Sequence, residues 1–184
     1  MFISLLKERR SVRKYKDQPV ESEKVDVLVE AALRSPSSRG FNPWEFIVVS
    51  DKDLLKKLSV AKPHGASFLK NAPLGIVVLA NPEKSDVWVE DASIASILIH
   101  LAATSLGLGS CWVQMRKRMH DDTLSSEEYI RELLDIPSGM SVESIIAIGY
   151  PDEQKAPHGK ENLAYEKVHG NGYGKKLDDF VSGS

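Results

Sequence analysis

The sequence predicts one domain in which helices and strands alternate, and three observations carry that expectation. Segments with apolar residues at helical spacing are interleaved with short unbroken apolar runs of the kind that form buried strands. The chain has 184 residues, 42% of them hydrophobic, which is enough for one substantial core. No internal repeat or low-complexity tract divides it, and only the last residues, "VSGS", read as a frayed polar tail.

Ser22 is placed to cap a first helix in which Val25, Leu28, Val29, Ala32 and Leu33 share a face, and Pro36 ends it because the residue before proline avoids the helical region. "WEFIVVS" follows as a strand. Asp51 caps a short helix through Leu54, Leu55 and Leu58, and "LGIVVLA" is a second, buried strand. From Val87 to Leu106 apolar residues wrap nearly the whole circumference, so this helix is expected to be central or covered by a partner subunit. "SCWVQM" is the third strand. Ser125 and Glu128 make a capping-box pattern ahead of Tyr129, Ile130, Leu133 and Leu134, and Pro137 with Gly139 closes that helix. "SIIAIGY" is the fourth strand. The run of about thirty residues after Pro151 is polar and aperiodic, long for a loop inside a compact domain, and an arm packed on another chain would explain it.

Charge narrows the function. With 24 Lys+Arg against 26 Asp+Glu the net charge is −2, the wrong balance for a general polyanion binder, yet "LKERRSVRKYKDQPV" gathers Arg9, Arg10 and Arg13 around Ser11. A nucleic-acid domain spreads its basic excess over a face; a cluster at one place suits a single small anion. The one cysteine, Cys111, has no partner for an intrachain disulfide, and "MFISLLKERR" lacks a signal-peptide hydrophobic region, so a reducing cytosol is expected. The most apolar segment, "ASIASILIHLAATSLGLG", falls short of the roughly 20 residues that span a bilayer and reads as a buried helix. "GLGS" follows a helix and precedes a strand, the reverse of the order a dinucleotide fingerprint requires, so no tightly bound Rossmann cofactor is indicated. The five histidines have no HExxH or CxxC companion, and no metal site is expected.

Three stretches carry candidate chemistry. The basic cluster is either a solvated helix end or an anion site in which arginine forks and the Ser11 hydroxyl meet phosphate oxygens. In "SPSSRGFNPWEF", Ser37 and Ser38 offer hydroxyl and backbone donors, Gly40 permits a sharp turn, and Pro43 biases Asn42 towards an extended conformation as an amide reader of a heterocycle edge; the alternative is an ordinary turn with Trp44 in the core. In "GLGSCWVQM", Cys111 sits in a strand with no adjacent base to activate it, which favours packing over nucleophilic catalysis. Trp112 offers an aromatic wall, and Trp88 an anchor for the central helix.

Taken together, "RRSVRKY", "SPSSRGFNPW", the apolar helix entering "GLGSCW", and "IPSGMSVESIIAIGYP" resemble the nitroreductase-like family of FMN-dependent oxidoreductases, from about Leu6 to Gly172. The resemblance implies an α+β fold with a mainly antiparallel central sheet flanked by helices, in a domain-exchanged homodimer with one FMN in each of two interface sites. Residues 1–184 would form a single FMN-binding domain, with 151–184 as an arm on the partner subunit. Arg9, Arg10 and Ser11 match positions that hold the FMN phosphate and ribityl chain. Arg13 matches the basic residue near the pyrimidine edge, where its charge favours the anionic reduced flavin. Pro36, Ser37 and Ser38 match a segment reaching the flavin from the other subunit, and Asn42 stands where the family often has glutamine. Trp112, Val113 and Gln114 match the strand end beside the ring, and Lys160 a late basic residue at the phosphate.

The function so implied is an FMN oxidoreductase in which NAD(P)H reduces the flavin, departs, and gives way to a small acceptor such as a nitroaromatic or quinone. A nicotinamide that stacks transiently needs no Rossmann domain, which fits the missing fingerprint. No side chain is assigned as a catalytic acid or base. A flavin-binding sensor or store, a reductive dehalogenase and a flavin-consuming relative are the alternatives.

Overall fold

The four apolar runs pair into one antiparallel sheet in the computed structural model, which describes residues 2–176. The strands are β1 (Trp44–Val49), β2 (Leu74–Ala80), β3 (Gly109–Gln114) and β4 (Ser141–Gly149), in the order β1-β2-β4-β3. β2 and β4 are the inner pair and are buried over nearly their whole length, the reason they read as unbroken apolar runs. β4 starts three residues ahead of the expected "SIIAIGY", because Ser141 and Val142 still pair with Ala80 and Leu79. Between them and Ser144 the register slips, leaving Glu143 as an unpaired bulge residue.

Among the described residues are five α-helices, α1 (Phe2–Glu8), α2 (Ser22–Leu33), α3 (Lys52–Leu58), α4 (Trp88–Ser105) and α5 (Ser126–Leu133), of which the last four flank the sheet. Leu28 and Ala32 of α2 and Ile99 and Ala103 of α4 pack with Ile76, Val78, Ile146 and Ile148 on one face. Leu55 and Leu58 of α3 and Ile130 of α5 pack with Val77, Val113 and Ile145 on the other. Each fully buried aliphatic side chain contributes about 2 kcal/mol of transfer free energy, so the two layers hold the strand order in place. This is the expected α+β architecture. No helix among the described residues is long and apolar enough to cross a membrane.

Most local signals are met. Asp51 accepts from the Leu54 N–H, and Ser125 and Glu128 close a reciprocal capping box on α5. Ser22, however, is the first residue of α2 and not its cap; Glu21 holds that place without a side-chain capping bond, and the Ser22 hydroxyl turns to Glu23. α1 was not legible from its seven residues. It lies against α4 with Phe2 and Ile3 each 60% exposed, while α4 itself leaves Ile94 and Ile97 in solvent. An apolar surface therefore runs along this side of the chain.

Candidate functional site

The basic cluster lies just past the end of α1, where Arg9 N–H closes the last turn on the Leu5 carbonyl at 2.9 Å. The chain then runs extended along the β3 edge: Ser11 pairs with Ser110, and Val12 N–H donates to the Ser110 carbonyl at 2.9 Å. Gly109 permits this approach, since a Cβ there would lie 2.8 Å from Val12 Cβ. Tyr15 anchors the other end, pairing with Pro151 and donating its hydroxyl to the Val12 carbonyl at 2.6 Å. Burial pushes the Tyr15 phenol far above its ordinary range, so it remains a donor.

The stretch after β4 clasps this segment from the other side. Asp152 N–H donates to the Lys14 carbonyl at 2.9 Å, and Glu153 Oε1 accepts from the Arg13 N–H at 2.5 Å and the Lys14 N–H at 3.3 Å. Lys155 Nζ lies 3.2 Å from Glu153 and donates to the Ser11 carbonyl, while the Arg10 guanidinium donates to the Ala156 carbonyl. Arg10 thus enters a small cavity of about 220 Å³ with Glu8, Val12, Glu153 and Lys155. Arg13 takes a different direction, its guanidinium 5.9 Å from the Phe68 ring centre. Among the described residues neither Arg9 nor Arg13 forms an ion pair with a carboxylate.

Two buried groups back the cluster. His100 of α4 meets the Ser110 hydroxyl through Nδ1 at 2.6 Å, and burial, helped by the Arg9 charge, brings its pKa down to about 4, so the imidazole is neutral near pH 7. Cys111 is buried in β3, and burial raises its thiol against the opposing pull of Arg13 and Lys155, as a packed rather than an activated cysteine. Glu153, Lys155 and His100 are not among the candidates that the sequence offers. The only signal for the first two was their place directly after the fourth strand, which has meaning only once β3 and β4 are known to be neighbours.

The remaining candidates lie elsewhere. Ser37 and Ser38 precede β1, and Ser38 N–H donates to Asp91 Oδ1 at 2.9 Å near the start of α4. Asn42 is not extended as its following proline suggested. Its φ is +46°, because the Ser37 hydroxyl bridges the Asn42 N–H and Oδ1, each at 2.8 Å, and asparagine tolerates the left-handed region. Pro36 is exposed beside them. On β3 the Trp112 indole donates to Gln114 Oε1 at 2.9 Å, and Gln114 Nε2 donates to the Arg116 carbonyl at 3.2 Å. Val113 points the other way, into the core, so only its backbone remains for a ligand. Lys160 is exposed in a short turn, Lys160–Asn162, with no hydrogen bond or ion pair to residues 9–13 among the described contacts.

The register fixes how far apart these groups are. Ser11 sits at the β3 edge near the Gly109–Gly149 end, while Asn42 leads into β1 at the Trp44–Ala80 end. Four strand spacings, counting the Ser11 segment outside β3, and about seven residues of strand separate those groups by roughly 30 Å. One chain does not bring the two halves together.

Comparison with known proteins agrees with this architecture. The model of the nitroreductase family matches residues 6–62 and 59–150. A solved structure described as an FMN-dependent nitroreductase from Clostridium difficile R20291 superposes with a TM-score of 0.92 at 56% identity, covering 93% of this chain and 99% of that one. A protein of Archaeoglobus fulgidus, provisionally named as an NADH dehydrogenase/NAD(P)H nitroreductase, is 39% identical over 157 residues, 83% of this chain and 87% of its own. An NAD(P)H-linked FMN reductase of Bacillus subtilis is 28% identical over 188 residues, 91% of this chain and 72% of its own. Family match, superposition and matched length converge: the chain belongs to the nitroreductase family.

Proposed function

We propose that this protein is an FMN-dependent oxidoreductase that takes reducing equivalents from NAD(P)H and delivers them to a small acceptor such as a nitroaromatic or quinone. The observation that carries the reading is the pair of arginines, Arg9 at the end of α1 and Arg13 on the extended, backbone-bonded segment that follows, neither with a carboxylate partner among the described residues. Such a segment is pre-organised for an anionic ligand longer than a single phosphate. The donor set fits FMN: arginine forks and the Ser11 hydroxyl for the phosphate and ribityl chain, and Arg13 for the pyrimidine edge. Arg10 joins the phosphate on leaving the Ala156 carbonyl, and Lys160 on being brought in by its turn. Trp112, the Val113 backbone and Gln114 wall the ring. Bound FMN supplies the redox chemistry, and no side chain is required as a catalytic acid or base.

The site is composite, in a homodimer. The corner-to-corner separation within one chain supports assigning Pro36, Ser37, Ser38 and Asn42 to the flavin held mainly by the partner. The exposed Phe2, Ile3, Ile94 and Ile97 supply apolar surface for the interface. Residues 150–156 clasp their own N-terminal segment, and the arm reaching the partner begins beyond them, where Leu163, Tyr165 and Val168 are exposed. The outermost part of that arm, including "VSGS", lies outside the described residues.

Two substitutions test the assignment. Arg9→Ala should raise the FMN dissociation constant by about tenfold or more, the worth of a charge-assisted hydrogen bond, and affect riboflavin, which lacks the phosphate, far less. Arg13→Ala should weaken both flavins and lower the reduction potential of the bound flavin, since a cation beside the reduced ring is lost. Equal losses of FMN and riboflavin in Arg9→Ala, or an unchanged potential in Arg13→Ala, would overturn these roles.

A further inference from the structure

A carboxylate has been placed where an anion site would least tolerate one. Glu153 sits against the Arg9–Arg13 segment, and at neutral pH its charge opposes any anion bound there. Its bonds explain its presence. One oxygen accepts from two successive main-chain N–H groups, Arg13 at 2.5 Å and Lys14 at 3.3 Å. It also holds Lys155 at 3.2 Å, and that ammonium in turn donates to the Ser11 carbonyl. Ser11 and Arg13 are thereby fixed from one point, across the residue between them, Val12, whose N–H and carbonyl are taken by Ser110 and Tyr15.

We infer that Glu153 is a positioning residue for the flavin site: it fixes the backbone of residues 11–14 and so aims the Arg13 guanidinium at the ring end of the ligand. The inference rests on the FMN reading above. Several features locate the action at Arg13. The first N–H that Glu153 binds belongs to Arg13 itself, and the Arg13 side chain, exposed and without an ion pair among the described residues, has nothing stronger than the Phe68 ring face to orient it. Arg9, by contrast, is fixed by the end of α1, through its N–H on the Leu5 carbonyl, and does not depend on Glu153. The arrangement also couples two parts of the chain far apart in sequence. The exit of β4 determines where Glu153 stands, so the C-terminal stretch governs the geometry of the N-terminal cations.

A double-mutant cycle separates positioning from plain stabilisation. Riboflavin, which lacks the phosphate, is titrated against the flavin-free wild type, Glu153→Ala, Arg13→Ala and the double variant, and flavin potential is measured in each FMN-loaded form. Glu153→Ala should weaken riboflavin by about tenfold in the wild-type background and by less than about twofold when Arg13 is already alanine, the non-additivity of residues acting as one unit. Amide hydrogen exchange of the flavin-free protein should quicken at Arg13 and Lys14 in Glu153→Ala and stay unchanged at Arg9. Equal losses in both backgrounds, or unchanged exchange at Arg13, would overturn the inference. If the alanine variant does not fold, Glu153→Gln replaces it, keeping an acceptor oxygen but losing the negative charge that pairs with Lys155, with coupling of at least about threefold expected and additivity again contradicting it. Failure of the underlying FMN reading would look different: the wild type itself would bind riboflavin and FMN equally, or neither.

Discussion

Acidification should destabilise the protein through His100 well before its paired carboxylates are protonated. In the folded chain the imidazole is buried against Ser110 with Arg9 nearby, and its pKa falls from 6.5 to about 4. Between those values the unfolded chain binds a proton that the folded chain does not, so stability is fully present above 6.5 and is lost as pH falls towards 4. Each unit of that window is worth about 1.4 kcal/mol, and going from about pH 7 to about pH 5 should therefore remove about 2 kcal/mol. Glu153, Glu128 and Asp121 have carboxyl pKa values lowered by the N–H and hydroxyl groups they accept from, so their contributions disappear only at lower pH. Glu143 acts in the opposite sense, because burial raises its carboxyl and stability from that source falls as pH rises. A difference measurement removes it: urea unfolding of the wild type and of His100→Asn, whose amide can still meet Ser110, at both pH values. The wild type should lose about 2 kcal/mol more than the variant. Equal losses would mean that His100 is not held neutral, and the account of the buried Ser110 contact would be wrong.

Three further substitutions have defined outcomes. Gly109→Ala would drive a Cβ to 2.8 Å from Val12, so it should cost about 1–3 kcal/mol of stability and loosen flavin binding with it; wild-type stability by thermal unfolding would refute the close approach of segment and strand. Ser125→Ala removes the capping box of α5 and should cost about 1 kcal/mol without affecting flavin content, a loss readable as a shifted urea midpoint at unchanged slope. Cys111→Ser should retain turnover per bound flavin, since the thiol is buried and raised; a drop of more than about a hundredfold, about 2.7 kcal/mol of barrier, in a folded, flavin-loaded variant would assign the sulfur a chemical role.

What was legible in the sequence was what short-range physics determines. β2 coincides with "LGIVVLA", and α4 begins and ends within a residue of the apolar stretch from Val87 to Leu106. Asp51 and Ser125 cap as their spacing requires. The failures were local ambiguities settled by distant contacts, or elements too short to carry a pattern. Ser22 could cap or begin a helix with equal chemistry, and Asn42 took the left-handed region because Ser37 is five residues away in sequence and in contact in space. For the site, the arginines and Ser11 were visible as a charge cluster, but their arrangement was not. Arg10 turning to Ala156 and Glu153 bonding Arg13 depend on β3 lying beside β4, a pairing between residues thirty to forty positions apart, and His100 meeting Ser110 depends on how α4 packs against β3.

The most direct test of the functional claim is an anaerobic absorption spectrum of the purified protein, reconstituted with FMN and then titrated with NAD(P)H. The account predicts a flavin spectrum at one FMN per chain, bleached by a stoichiometric amount of reductant and restored by a nitroaromatic or quinone acceptor. A protein that takes up no FMN, or whose bound flavin the reduced nicotinamide does not bleach, would contradict it.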